Sequence, residues 1–166
     1  MDIALVRVDN RLVHGQILEA WVPYINASCI VVVDDQVASD FFRETVIRMA
    51  VPRDVQVLIS SVGEFADKHT FSRCGGPKTI VLFSNISDAL TVYRQGFRFA
   101  TLNIGNIYND NCKLCCTPAV LLSEQDLQAI EILHGAGVQI ELRRVPREKA
   151  VDFLDIIKGA TPSHSS

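Results

Sequence analysis

At 166 residues and 18.4 kDa, with 48% apolar residues, the chain is long enough to bury the core of one domain without help from disulfides or metal. Its formal net charge of -3 and the lack of any run of like charge exclude a polyelectrolyte tail and argue against nucleic acid as a partner. The opening MDIALVRVDN lacks the basic-then-apolar order of a secretory leader, and no apolar run reaches the roughly 20 residues of a membrane helix, so a soluble, cytosolic protein with its five cysteines reduced is expected.

In chain order, residues 3–8 read as a first strand. Residues 15–22 (GQILEAWV) place Ile17, Leu18, Trp21 and Val22 on one helical face, and Pro23 marks the expected stop. The uniformly apolar CIVVV at 29–33 reads as a strand covered on both faces, which implies a parallel, internal position, and Asp34 with Asp35 end it. A helix near 39–50, a strand at 55–59 and a short helix around 62–68 follow. Cys74, Gly75, Gly76 and Pro77 punctuate the chain before a strand at 79–83. Ser87 and Asp88 are the expected cap of a helix running to about residue 95.

The second half continues the alternation. A strand is expected at 99–104 and another at 119–122. Ser123 with Glu124 and Asp126 looks like a helix start, and that helix should run to Gly135 or Gly137. A strand at 138–143 and an amphipathic helix at 148–157 complete the pattern. The fold class expected is α/β: one open, mainly parallel twisted sheet of about seven strands with helices on both faces. No linker or composition break divides the chain, so a single domain over 1–160 is expected, with 161–166 a frayed Ser/His tail.

In such sheets ligands bind beyond the carboxyl ends of the strands, near a switch in strand order. The loops there carry His14, the pair Asp34 and Asp35, Ser84 with Asn85, and the run Asn103, Ile104, Gly105, Asn106. His14 sits in RVDNRLVHGQ (7–16) directly after the first strand, where four readings compete: metal ligand, general base, covalent carrier of a transferred group, or a polar cap of the next helix. Cys112, Cys115 and Cys116 include one CxxC spacing but no second CxxC or HxxxH, so zinc is not expected. His69, His134 and His164 are scattered and read as surface or packing residues. The chain has no GxSxG, no GxxxxGK[ST] and no GxGxxG after a strand, which lowers acyl-transfer and nucleotide chemistry.

A phosphate site suits the 7–16 stretch better. Backbone N–H groups and the dipole at a helix start favour an anion, Gly15 permits close approach, and Arg11 offers a bidentate guanidinium. A neutral imidazole there can act as nucleophile and leaving group near neutral pH, as a phosphohistidine carrier requires.

RVDNRLVHGQ, the VVVDD run with Val37 and Ala38, the 103–106 run and the late segment from Gly137 to Pro146 resemble the IIB component of the mannose/sorbose-type sugar phosphotransferase system, over nearly the whole chain and in order. The resemblance implies a phosphoryl relay: phosphoryl arrives from a phosphohistidine of a IIA partner and leaves to a sugar entering through the membrane components IIC and IID. It maps the phosphorylated histidine onto His14, through Nδ1, a phosphate-stabilising arginine onto Arg11, and the loop frame onto Asp9, Asn10, Gly15 and Gln16. Asp34, Asp35, Asn103 and Gly105 are neighbouring-loop candidates. The relay requires no metal and no cofactor, and membrane association would come only through partner subunits. The alternative is a regulatory domain phosphorylated on the same histidine. The segment 110–116 departs from the family pattern.

Overall fold

The computed structural model describes residues 1–67 and 76–160. The strands are β1 (Asp2–Asp9), β2 (Cys29–Val33), β3 (Gln56–Ser60), β4 (Lys78–Phe83), β5 (Thr101–Asn106), β6 (Leu114–Thr117), β7 (Val120–Leu122), β8 (Gln139–Leu142) and β9 (Val151–Asp152). Seven of them form one sheet in the order β3-β2-β4-β1-β5-β8-β9, parallel except for the antiparallel edge strand β9. This is the open, mainly parallel α/β sheet expected.

Two apolar layers show why the helices lie on both faces. Along β2, Cys29, Val31 and Val33 enter one core cluster while Ile30 and Val32 enter the other, as the two-residue period of a strand demands. The first cluster takes in α4 (Val62–Asp67), α5 (Ile86–Arg94), α6 (Glu124–Gly135) and the start of α7 (Phe153–Ala160). Opposite lie a π-helical segment, Gln16–Trp21, its continuation α1 (Val22–Ile25), then α2 (Asp35–Ala38) and α3 (Phe41–Ala50).

Several local expectations are corrected. Pro23 does not stop the first helix: it lies at the start of α1, directly after the π-helical segment, and Asn26 at φ 58° closes the helix instead. Asp40, accepting from the backbone N–H of Phe42 and Arg43, starts α3, and Asn85 rather than Ser87 or Asp88 caps α5 by accepting from Asp88 N at 2.8 Å. Segment 119–122 is a strand, but it pairs antiparallel with the unforeseen β6 and not with the main sheet. The seventh strand of the sheet is β9, in a region expected to be helical, so α7 starts only at Phe153. The 103–106 run lies within β5, not after it. Ser123 and Asp126 form the full reciprocal capping box at the start of α6.

The expectation that all cysteines are reduced also fails, because Cys112 and Cys115 are joined by a disulfide. The bend leading into β6 brings their Cα atoms to 6.3 Å, inside the range a disulfide spans. His69, His164, Cys74 and the 161–166 tail lie outside the described residues, as does the end of the helix expected at 62–68.

Candidate functional site: a histidine held by a buried carboxylate

The site begins with the burial of β1. Its last four residues, Val6 to Asp9, are all buried, because β1 is central and covered on both faces. Val6 and Val8 point into one apolar layer, so Arg7 and Asp9, two residues apart, must share the other face. Both side chains are fully buried, and a buried charge is tolerated only with partners. Each supplies the other: Arg7 Nη2 donates to Asp9 Oδ2 at 3.1 Å.

Strand register supplies the remaining partners. Arg7 stands opposite Asn103 on β5, and Asn103 opposite Glu141 on β8, so a polar seam crosses three neighbouring strands on one face. Arg7 Nη1 donates to Asn103 Oδ1 at 2.7 Å and to the Arg143 carbonyl at 2.8 Å, and Asn103 Nδ2 donates to Glu141 Oε1 at 3.2 Å. The guanidinium lies 5.5 Å from the Trp21 ring centroid, a cation–π contact on its remaining side. Gly105 makes this possible: a Cβ there would sit 1.9 Å from Arg7 Nη2. Burial pushes the Arg7 pKa below its ordinary value, a cost that Asp9 partly offsets.

Asp9 is the hub. Its Oδ2 accepts from His14 Nε2 at 2.7 Å and from Asn106 Nδ2 at 2.9 Å, and its Oδ1 accepts the Arg11 backbone N–H at 3.0 Å. Burial pushes its carboxyl pKa up, but the hydrogen bonds from His14 and Asn106 and the Arg7 charge outweigh it and leave the group below its ordinary value. An ionised carboxylate only accepts, so His14 donates through Nε2, and in the neutral imidazole Nδ1 is then the lone-pair nitrogen. Among the described residues no hydrogen-bond partner meets Nδ1, and the His14 side chain is 13% exposed.

The loop between Asp9 and His14 is tight. Leu12 N–H donates to the Asp9 carbonyl at 2.9 Å, and Leu12 adopts φ 56°, a left-handed conformation costly for a branched residue, while burying its side chain in the core. The His14 carbonyl then accepts from both Ile17 and Leu18 N–H at 3.0 Å, starting the π-helical segment. π-Helical turns are concentrated at functional sites.

The other expected residues divide by what they touch. Asn10 binds the loop to its neighbours, donating to the Ser84 carbonyl at 2.9 Å and accepting from Tyr108 N–H. Gln16 turns inward, its Oε1 accepting from Arg7 at 3.1 Å and Asn106 at 3.0 Å. Gly15 is in ordinary right-handed helical conformation, and a Cβ there would meet only Glu19 Oε2 at 3.9 Å, so the space above it is open. Arg11 is about half exposed, with Nε 4.0 Å from Asp9 Oδ1, and among the described residues no hydrogen bond is made by its Nη groups. A groove of about 570 Å³ beside Gly15 and Gln16 is flanked by Glu19, Tyr24, Pro146 and Arg147.

Asp34 caps α2 by accepting Val37 N–H at 3.0 Å and takes the Ser84 hydroxyl at 2.5 Å, while Asp35 accepts Val62 N–H at 2.8 Å. These contacts are structural, and they reach the His14 loop only through Ser84 and Asn10. Among the described residues no three His, Cys, Asp or Glu side chains converge as a metal site. His134 lies in the last turn of α6, away from this edge.

Arg7 and Asn106 are site residues that the sequence alone does not single out. The available signal was a charged residue inside a strand buried on both faces, which must be paired, and an acid two residues on.

Fold and site together define an open α/β domain that presents a carboxylate-anchored histidine, in one loop with a half-exposed arginine, at the carboxyl edge of a parallel sheet. Residues 3–166 match the model of the family described as PTS system sorbose subfamily IIB component. The chain is 35% identical over 161 residues to the PTS system fructose-specific EIIB component of Bacillus subtilis (strain 168), covering 97% of this chain and 99% of that one. It is 37% identical over 157 residues to the PTS system sorbose-specific EIIB component of Klebsiella pneumoniae, covering 95% and 96%. The crystal structure of the IIBSor domain of the sorbose permease from the same organism superposes with a TM-score of 0.87 at 36% identity, over 96% of this chain and 98% of that one. The chain belongs to the sorbose subfamily of phosphotransferase-system IIB components, which are phosphotransferases acting in sugar uptake.

Proposed function

We propose that His14 takes a phosphoryl group on Nδ1 from a phosphohistidine of a IIA partner and passes it to a sugar entering through membrane components IIC and IID. The observation that carries this reading is the 2.7 Å hydrogen bond from His14 Nε2 to Asp9, which leaves Nδ1 as the nucleophile on a partly exposed ring. In the transfer the Nδ1 lone pair attacks phosphorus as the donor N–P bond breaks in line, and the positive charge growing on the ring is met by the ionised Asp9. Arg11, exposed next to the ring in sequence, meets the phosphoryl oxygens, and open space above Gly15 admits the donor. The relay draws on no metal or nucleotide.

The names of relatives support the partners. The mannose-specific EIIAB component of Escherichia coli (strain K12), 29% identical over 157 residues, is a longer protein of which this chain spans 49%, and its name joins an A to a B function. Among the described residues no helix is long and apolar enough to cross a membrane.

Incubation with phosphoenolpyruvate, the general phosphocarriers and a cognate IIA should label His14 alone, as an acid-labile, base-stable phosphoramidate. The His14→Ala protein should take no label. Label persisting in that variant, or an acid-stable adduct, would overturn the assignment.

A further inference from the structure

The segment between β5 and β6 touches the loop that carries His14. Ile107 is anchored on the β6–β7 ribbon, its N–H donating to the Ala119 carbonyl at 2.9 Å and its carbonyl accepting from Leu121 N–H at 2.8 Å. At the other end Lys113 N–H donates to the Leu122 carbonyl at 2.7 Å. Between these anchors the hydrogen bonds of residues 108–112 are internal, Tyr108 hydroxyl to Asp110 at 2.7 Å and Asn111 N–H to Asn109 at 3.0 Å, with one exception. That exception is Tyr108 N–H to the Asn10 side chain. The Tyr108 ring is 71% exposed on this edge.

The Cys112–Cys115 bond adds a side-chain tie between the end of this segment and β6, beside the Lys113 anchor. Cys115 is exposed and Cys112 half-buried, so small thiols and disulfides reach the bond. The other described cysteines are unsuited to exchange: Cys29 is fully buried with its thiol pushed up by burial, and burial pushes the Cys116 thiol up to about 11, which keeps it protonated at neutral pH.

We propose that Cys112 and Cys115 are a reversible dithiol–disulfide pair that sets the position of residues 108–112, and with them Tyr108, against the loop that carries His14. The oxidant is a low-molecular-weight disulfide. The exposed Cys115 thiolate attacks one sulfur of it, giving a mixed disulfide and releasing one thiolate. The Cys112 thiolate then attacks Cys115 Sγ, forming the internal bond and expelling the second thiolate. The two protons given up by the cysteines end on the two released thiols, so one disulfide is reduced as one is formed. Excess thiol runs the steps backward.

The consequence for transfer rests on the phosphoryl-relay reading. With the bond closed, Tyr108 and Asn10 are held together and present one surface to the donor protein. With it open, Cys112 loses its side-chain tie to β6, residues 108–112 gain freedom between the Ile107 and Lys113 anchors, and the same surface must be ordered on docking. Oxidation should therefore lower KM for the phosphorylated IIA with kcat nearly unchanged, by about fivefold or more, the lower end of ordinary coupling between sites.

The test uses the full chain with Cys74→Ser, so that the thiol outside the described residues cannot contribute. Oxidised and reduced glutathione poise the protein, differential alkylation with peptide mass analysis reads the thiols, and amide NMR reads Tyr108 and the Asn10 side chain. The expected result is loss of two hydrogens between Cys112 and Cys115, reversed by reduced glutathione, with Tyr108 and Asn10 signals distinct in the two states. Cys112→Ser/Cys115→Ser should give the reduced spectrum under both conditions and a KM that no longer responds. A stable glutathione adduct on one cysteine, stoichiometric zinc bound by the thiols, or identical spectra in both states would each overturn the proposal. Failure of His14 to take label in either state would overturn the relay reading instead, and the spectra would still decide the redox pair.

Discussion

A single buried carboxylate organises the contacts of the candidate site. Asp9 orients His14 through Nε2, and its own charge is tolerated at that depth because Arg7 lies against it. Removing one member of a buried pair strands the other, so Arg7→Met is expected to destabilise the protein by about 3–5 kcal/mol, read by chemical denaturation. A loss under about 1 kcal/mol would mean that water or another group replaces the guanidinium. The pH dependence follows from the direction of the Asp9 shift. Its folded-state value lies below that of the unfolded chain, so the stability it adds is fully present above the ordinary carboxylate range and is lost as pH falls through the folded value. Between about pH 7 and about pH 2, Asp9→Asn should show a shallower decline in stability than the parent. Parallel curves would show that Asp9 is not the group responsible.

Arg11 differs from Arg7 in being half exposed and only loosely paired with Asp9. Its substitution should barely alter stability, since exposed pairs contribute little. If its planar fork holds the moving phosphoryl, Arg11→Lys should slow single-turnover transfer by about 10²–10³, as loss of one transition-state donor does, while His14 still takes label given time. A rate equal to the parent would leave the open backbone at Gly15 and Gln16 as the phosphate holder.

At the level of elements, the site depends on where β1 ends and how the chain leaves it. Leu12 accepts a left-handed backbone at a cost of about 1–3 kcal/mol, and its buried side chain, worth about 1.5–3 kcal/mol, offsets that. Leu12→Ala loses the burial and keeps the strain, so it should cost about 2–5 kcal/mol and loosen the His14 loop. The companion substitution is Gly105→Ala on β5, whose new Cβ would collide with the Arg7 guanidinium. Displacing Arg7 from Asp9 should reduce both stability and transfer rate. A crystal structure of that variant with Arg7 unmoved would refute the close approach. Gly15→Ala makes the contrast, because nothing crowds its Cβ: folding should be unaffected, and only access of the donor should suffer.

Across the whole molecule, the sheet places the site by register. Because β1 lies between β4 and β5, the loops after all three strands reach one another: Asn10 contacts Ser84 and Tyr108, and Asp9 contacts Asn106. The covered strands β1, β2 and β4 should be the slowest to exchange amide hydrogens, while the two-residue edge strand β9 should exchange first among the strands of the main sheet. Equal protection of β9 and β1 would indicate that the edge is covered by something outside the chain.

The alternation of apolar strand and amphipathic helix was enough to determine the α/β class and the parallel sheet, because burial on both faces leaves an unbroken apolar run such as CIVVV. The ten residues 7–16 point to His14 as the candidate carrier, since few chemistries want a histidine between a strand end and a helix start. Local signals at helix starts were less decisive. Asn85 and Asp40 outcompeted their neighbours as caps by geometry that propensity does not encode, and β6 and β9 are short strands whose pairing comes entirely from partners distant in the chain. Only the tertiary structure decided the hydrogen-bond partners of the site. Which nitrogen of His14 is free depends on Asp9, Asp9 depends on Arg7 and Asn106, and Arg7 depends on Asn103, Gly105 and the Arg143 carbonyl. Those residues lie up to 136 positions apart and meet because parallel strands in fixed register align them, a relation between segments that no local stretch of sequence contains.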